Sequence, residues 1–432
     1  MNMKKPWPHW FFHVVLVGIV LVLSSTGVPH DIYAAEADWR NLMIPGGFGV
    51  CSHFTDVQPG EMEMLAATGI KWIRTDFAWG ETELEKGIYD FSEYDRLMAS
   101  MDKYGIRGYF ILDYGNRLYD RGTAPRTDEG RAAFARWAAA AAKHFQGHNI
   151  IWEMYNEPNI GFWKPRPNVG NYIKLAIAVG KAIRTEAPGE MYIGPATSEI
   201  DMNFLEACFR AGLLEYWDAV SVHPYRQTPP ETVLPEYEKL SKLITEYAPV
   251  GKQVPIISGE WGYSVAWQDY DEARHGKYLP RQWLTNIAAG VPISIWYDWH
   301  DDGQDQNDEE DNFGMVAYPY YEGIEPVYDP KPAYVAAQTL TRILSGYEFV
   351  KNIIPNDQEL ESRFVLQFER NGQIAIAAWN STDGQTEEVK LLIPPGNYRM
   401  TGYLGSDLGS RHVNEEGLTL ELTDTPVYIT VQ

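Results

Sequence analysis

The stretch Ile150-Ile151-Trp152-Glu153-Met154-Tyr155-Asn156-Glu157-Pro158 is an apolar run that breaks into a polar triplet. This is the pattern of a buried strand that delivers a carboxyl group, Glu157, to the edge of a sheet. A second run, Val254-Pro255-Ile256-Ile257-Ser258-Gly259-Glu260-Trp261, finishes in the same way on Glu260. Parallel strands covered on both faces read as continuous Val/Ile-rich runs. In a closed parallel barrel their C-termini converge on one mouth, where catalytic groups sit. Two carboxyl groups there suit the cleavage of a glycosidic bond.

Working outward, eight extended apolar runs alternate with helix-like segments: Gly47–His53, Lys71–Trp79, Arg107–Tyr114, Ile150–Pro158, Met191–Ser198, Ala219–Tyr225, Val254–Trp261 and Ile293–His300. A strand, a crossover helix and two loops need about 30 residues, so the spacing predicts an α/β chain built as a (β/α)8 TIM barrel. The clearest helix follows Thr127, which reads as an N-cap with Asp128 and Glu129 in the first turn and Gly147 as the stop. Pro59–Thr68, Ser92–Tyr104, Val169–Ala187, Asp201–Gly212, Pro235–Tyr247, Asp271–Ala289 and Pro332–Leu344 fit the other crossovers.

From about Glu348 the period changes to alternation, as in Arg363–Glu369 and Gln373–Trp379. Asn371-Gly372 between two such runs is a strong hairpin signal. The expected organisation is therefore a leader over residues 1–35, a catalytic barrel over 36–347 and a C-terminal β-sandwich over 348–432.

Composition limits the partners. The chain has 432 residues, 45% of them hydrophobic, which excludes a disordered protein. Its 36 basic and 59 acidic residues leave a net charge of −23, which argues against nucleic acid, whose phosphates demand Lys/Arg patches. The 15 Trp, 27 Tyr and 16 Phe suit the faces of sugar rings, although most individual aromatics belong to a core because they bury so much surface. At the N-terminus Lys4 and Lys5 precede the apolar run Phe11–Leu23 and a small-residue stretch ending at Ala35. That three-part shape is a secretory signal, giving a secreted or cell-surface protein. The run falls short of the ~20 residues of a bilayer span, which favours the signal, and an uncleaved membrane anchor is the alternative. Cys51 and Cys208 lie on a first strand and in a distant helix, so two unpaired buried thiols are expected.

Cleaving a glycoside takes a proton for the leaving oxygen and a nucleophile for the anomeric carbon. As the acid, Glu157 has to hold its proton while Glu260 stays ionised near a cation. Arg74, on the second strand, is the candidate cation. A lone Glu at a strand end is more often a solvated loop carboxylate; two at the right strand ends, each beside an aromatic, reverse those odds.

Asn156-Glu157-Pro158 ending a fourth strand and Glu260 ending a seventh resemble the catalytic pair of the retaining glycosidase clan built on (β/α)8 barrels. Trp72–Trp79, Ser221–Tyr225, Ser258–Tyr263 and Trp296–Gly303 are similar to glycoside hydrolase family 39 in particular, especially its bacterial branch acting on biofilm exopolysaccharides. The resemblance covers about Gly47 to Tyr347. It implies a double displacement with Glu157 as acid/base and Glu260 as nucleophile. It further implies Asn156 on the sugar 2-hydroxyl, His223 and Tyr225 orienting Glu260, and Trp296 as the floor of the central subsite.

Asp113, Tyr114 and Asn116 end the third strand, Trp163 follows the acid, Tyr263 and Trp267 follow the nucleophile, and Trp299 and His300 continue the eighth strand. Asp113, Asn116, Trp163, Tyr263 and Trp299 are thus candidates for the outer subsites, set against plain packing. The acidic run Asp301–Asp311 lacks the EF-hand spacing and reads as a solvated mouth loop. No zinc motif or phosphate loop is present, so neither metal nor cofactor is expected. The chain is read as a monomeric endo-acting β-glycosidase on an extracellular polysaccharide. An exo-acting β-xylosidase-like enzyme, a transglycosylase and a non-catalytic carbohydrate-binding barrel are the competing readings.

Overall fold

The computed structural model describes residues 43–353 and 362–432. The leader read over residues 1–35 lies outside them. Among the described residues, no helix is long and apolar enough to cross a membrane.

Eight parallel strands close into a barrel in sequential order: β1 (Phe48–Cys51), β2 (Trp72–Ala78), β3 (Arg107–Asp113), β4 (Ile151–Met154), β5 (Met191–Ser198), β6 (Val220–His223), β7 (Ile256–Trp261) and β8 (Ser294–Trp296). Each falls within a run read from the sequence, usually trimmed where the chain turns onto the mouth. The helices are α1 (Glu61–Ala67), a short α2 (Trp79–Thr82), α3 (Ser92–Asp102), α4 (Asp128–His144), α5 (Val169–Glu186), α6 (Met202–Arg210), α7 (Leu234–Tyr247), α8 (Glu272–Ala288) and α9 (Pro332–Ile343). The Thr127 side chain caps α4 by accepting from the Gly130 N–H. Cys51 and Cys208 are both buried and free.

Alternation along the strands sorts side chains between two cores. Trp72, Tyr109, Ile151, Ile193, Ala219, Ile257, Ile293 and Ile295 fill the barrel interior. Their neighbours one position away, such as Ile73, Phe110, Trp152, Val220 and Trp296, face the helices. Because the side-chain period in a strand is two, Arg74, Asp76, Asp113, Glu153, Ser221, His223 and Tyr297 share the interior parity, toward the mouth.

The rest of the chain is antiparallel: β9 (Glu348–Asn352), β10 (Arg363–Arg370), β11 (Gln373–Asn380), β12 (Glu387–Leu391), β13 (Gly396–Gly402), β14 (Asp407–Val413), β15 (Leu418–Leu422) and β16 (Val427–Val431). They form a six-stranded sheet in the order β14-β13-β16-β11-β10-β9 and a two-stranded ribbon of β12 and β15. Arg370 pairs with Gln373 across the Asn371-Gly372 turn, whose two residues take φ of 50° and 78°, the left-handed conformation that a tight hairpin turn requires. Both faces of this sheet are covered. Val365, Ile376 and Ala378 pack with Val389, Leu420 and Leu422 of the ribbon, making a small sandwich. Phe364, Leu366, Phe368, Ala377 and Trp379 join the barrel's outer core.

Arg281 of α8 ties the two parts together. It bonds Glu231 at 2.8 and 2.7 Å, Asp383 at 3.0 Å and the Ser381 carbonyl at 2.7 Å, and Trp379 Nε1 donates to the same Glu231 at 2.6 Å. Arg281 is fully buried, and removing one partner of a buried pair leaves an uncompensated charge costing about 3–5 kcal/mol. Arg281→Ala is therefore expected to lower unfolding free energy by about 3–5 kcal/mol in urea titration, with the C-terminal sheet detaching first in hydrogen exchange.

Candidate active site

The chain leaves β4 under strain. Tyr155 and Glu157 both adopt positive φ, 68° and 42°, a conformation that non-glycine residues hold only where surroundings enforce it. The Glu157 N–H donates to the Ala196 carbonyl at 3.0 Å, which pins the turn. On the opposite side, a register shift between Ser258 and Trp261 swings the end of β7 and brings Glu260 over the barrel axis. Gly259 permits this. A Cβ there would lie 2.2 Å from Ser221 Oγ and 2.8 Å from the Tyr109 hydroxyl, so any side chain would displace the polar floor of the site.

Arg74 is the hub. Its guanidinium contacts Glu260 at 2.5 Å, Glu153 at 2.7 Å, the Asn156 Oδ1 at 2.9 Å and His223 Nε2 at 3.2 Å. Burial disfavours its charge, but Glu153 and Glu260 more than compensate and hold it protonated. Glu153 is itself fully buried and also accepts from the Tyr109 hydroxyl at 2.6 Å. An arginine has donors alone, so His223 Nε2 must accept. The neutral ring then carries its hydrogen on Nδ1 and donates it to Glu157 Oε1 at 3.0 Å. Asn156 is oriented likewise: its Oδ1 is taken by Arg74, which leaves the amide N–H groups to donate.

Glu260 also accepts from the Tyr225 hydroxyl at 2.9 Å. Burial raises its proton affinity, but His223, Arg74 and the Tyr225 hydroxyl outweigh burial and hold the carboxyl below the ordinary glutamate range. The Arg74 guanidinium carries a permanent charge, so it is the dependable contribution. One oxygen of Glu157, one oxygen of Glu260 and a ring nitrogen of His223 lie within 4.8 Å of one another.

The other residues singled out in the sequence are dispersed. Asp113 is fully buried, with its carboxyl against that of Asp76. Burial first, then adjoining Asp76, push its carboxyl well above the usual range, so the two favour a shared proton. Asn116 is buried and donates to the Trp79 and Glu83 carbonyls, bracing the loop after β3. Trp163 packs between Tyr155 and Tyr172. Tyr263 is buried and donates to the Thr228 carbonyl, and Trp299 is buried and donates to Glu61. Trp296 has the outward parity and packs on His275 and Tyr263, behind the barrel wall. The ring that β8 sends toward the mouth is Tyr297, partly exposed and edge-on to Tyr225 at 6.3 Å.

Sequence reasoning did not single out Glu153, Tyr109, Tyr297, His53 or Asp298. The signal for Glu153 was in plain view, a charged residue inside an apolar strand, two places from Ile151 and therefore on the same face. In the acidic run, Asp301 pairs with Lys331 at 2.9 Å, while Asp305 and Asp311 accept from loop amides.

A closed parallel barrel with two carboxylates converging on its mouth defines a glycoside hydrolase acting on O-glycosidic bonds. The model of the family described as Cellulase (glycosyl hydrolase family 5) matches residues 48–303, and the chain belongs to that family. Among the solved structures it resembles are family 39 enzymes of the same clan of barrels. A family 39 glycoside hydrolase from the gut symbiont Bacteroides cellulosilyticus WH2 superposes with a TM-score of 0.76 at 25% identity, over 89% of this chain and 81% of the other. A family 39 β-xylosidase from Caulobacter crescentus gives 0.64 at 16% identity, over 89% and 96%. A family 39 enzyme from Xanthomonas axonopodis pv. citri gives 0.63 at 16% identity, over 89% and 94%. No curated protein matches the chain. The family 39 resemblance read from the sequence thus stands, and the substrate of the enzyme is a carbohydrate.

Proposed function

We propose that the chain is a retaining β-glycosidase, secreted and monomeric, that cuts within an extracellular polysaccharide, with Glu260 as nucleophile and Glu157 as acid/base. The observation that supports this most directly is the closeness of the two carboxylates, with an oxygen of one no more than 4.8 Å from an oxygen of the other. Retaining enzymes hold their carboxyl groups about 5–5.5 Å apart, whereas inverting ones leave about 6.5–9.5 Å for a water.

In the first step a Glu260 oxygen attacks the anomeric carbon as Glu157 passes its proton to the departing glycosidic oxygen, leaving a glycosyl ester on Glu260. In the second, Glu157 removes a proton from water, whose oxygen displaces Glu260 and restores both carboxyls. Asn156, its Oδ1 held by Arg74, presents an amide N–H to the sugar 2-hydroxyl. His223, donating to Glu157 Oε1, leaves Oε2 to carry the proton. Transfer to a second sugar would use the same ester, so hydrolysis is the reading in which water is the acceptor.

Endo action is supported by the rim beside the acid. Tyr114 and the exposed Phe162 stack at 5.9 Å, an open aromatic platform on which further sugar units of a chain could lie.

The test is a panel of extracellular polysaccharides with product sizing and an NMR record of the first-formed anomer. Oligosaccharides of retained configuration are expected. Monosaccharide as the sole product would replace endo by exo, β-xylosidase-like action, and an inverted first product would remove the double displacement. Glu157→Gln is expected to cost about 10²–10⁴-fold in rate on a poor leaving group and much less on an activated aryl glycoside, with added azide restoring turnover. An equal loss on both substrates would reject Glu157 as the acid.

A further inference from the structure

Beside the nucleophile, on the wall formed by the ends of β1 and β8, three side chains outside the catalytic machinery come together. His53 Nε2 lies 3.6 Å from Asp298 Oδ2 and 3.6 Å from Asp302 Oδ2, and the three donor atoms are all within 4.8 Å of one another. Two neighbouring carboxylates are already satisfied: Asp301 is bound by Lys331 and the Gly314 N–H, and Glu309 accepts from Trp267. Asp298 is different. It is 1% exposed, its Oδ1 has no hydrogen-bond partner among the described residues, and its Oδ2 faces His53. A buried carboxyl beside a second carboxylate, with no lysine or arginine paired to it among the described residues, is relieved either by holding a proton or by a positive charge from elsewhere, and a cation bound with His53 and Asp302 would supply that charge.

We infer that His53, Asp298 and Asp302 form a binding site for a divalent transition-metal ion such as Mn²⁺ or Zn²⁺. An ion seated between the three would lie about 2.0–2.2 Å from each donor, a position that small shifts of the two partly exposed side chains, His53 and Asp302, reach. One imidazole with two carboxylates favours Mn²⁺ or Zn²⁺ over Ca²⁺ and Mg²⁺, which prefer all-oxygen shells. His53 Nε2 would exchange its 3.2 Å contact with the Tyr297 hydroxyl for the metal, and that hydroxyl already faces Glu310 at 3.3 Å.

The ion would tie the end of β1 to the loop after β8. By holding Asp298 it would also anchor the backbone next to Tyr297, whose ring faces Tyr225 next to Glu260. Remaining coordination positions would open to water or to sugar hydroxyls in the cleft. The inference does not depend on which glycoside the enzyme cuts.

The test is calorimetric titration of the full chain, stripped with chelator, with Mn²⁺, Zn²⁺, Ca²⁺ and Mg²⁺ separately, alongside His53→Ala and Asp302→Asn. Both variants replace partly exposed side chains, and circular dichroism checks that they fold. One site per chain for Mn²⁺ or Zn²⁺ is expected, weakened at least tenfold in each variant, with a rise in Tm on metal addition seen in the wild type alone. Saturation by neither ion at millimolar concentration, or binding that survives both substitutions, would overturn the site. Preference for Ca²⁺ over both transition metals would overturn the role of the His53 ring.

Discussion

Glu260→Gln is expected to abolish turnover, with kcat falling on the order of 10⁵-fold, comparable to the loss of the nucleophile in other covalent mechanisms. Glutamine keeps the shape of the side chain but cannot form the glycosyl ester, and its amide cannot match the acceptor role toward both Arg74 and the Tyr225 hydroxyl. The fold should survive because Arg74 keeps Glu153, at 2.7 Å, as its buried counter-charge. Circular dichroism and a thermal melt would show this. Intact-mass spectrometry with a 2-fluoro glycoside should trap an adduct on the wild type and none on the variant. Wild-type rates from a folded Glu260→Gln protein would end the proposed assignment.

Arg74→Gln should have the second-largest effect. Four groups lean on the guanidinium, namely Glu260, Glu153, Asn156 and His223. Losing a preorganised charge of this kind costs about 10²–10³-fold in kcat, and loss of the Asn156 anchor adds to it. The sign of the pH effect follows from the same contacts. Arg74 favours the ionised form of Glu260, so the acidic limb of kcat/KM, set below the ordinary glutamate value of about 4.3 in the wild type, should move to higher pH in the variant. Stability should change in step. A carboxyl whose folded pKa is depressed contributes stability above its unfolded pKa and loses it as pH falls through the folded one. The stability gap between wild type and Arg74→Gln should therefore narrow on acidification below about pH 4. An acidic limb that stays in place would show that Arg74 does not govern Glu260. Arg74→Lys should recover the charge without the fork, which cannot bridge two carboxylates and an amide at once, and so restore the pH profile better than the rate.

Glu157 and Glu260 were legible because each closes an apolar strand, and strand ends in a parallel barrel share a mouth. Their partners were less so. Arg74 was identifiable as a cation on the second strand, yet its buried companion Glu153 lies within the same run that announced Glu157. Trp296 and Tyr297 show the limit most clearly: neighbours in sequence and both aromatic, they differ in which wall of the strand they leave. Assigning that parity requires the register of Val50 against Trp296.

The amino-acid sequence by itself determined the eightfold strand–helix rhythm, the Thr127 cap, the Asn371-Gly372 hairpin and the two acidic strand ends. All of these are local, written in periods of two or 3.6 residues and in turn chemistry. Tertiary structure alone decided that Arg74 bridges Glu153 and Glu260, and that His223 Nδ1 faces Glu157. It also decided that Asn116, Trp163, Tyr263, Trp296 and Trp299 are enclosed by packing, and that His53 meets Asp298 and Asp302. These are contacts between strands and loops far apart in the chain, and their geometry exists only once barrel closure has set the register and turned each side chain inward or outward.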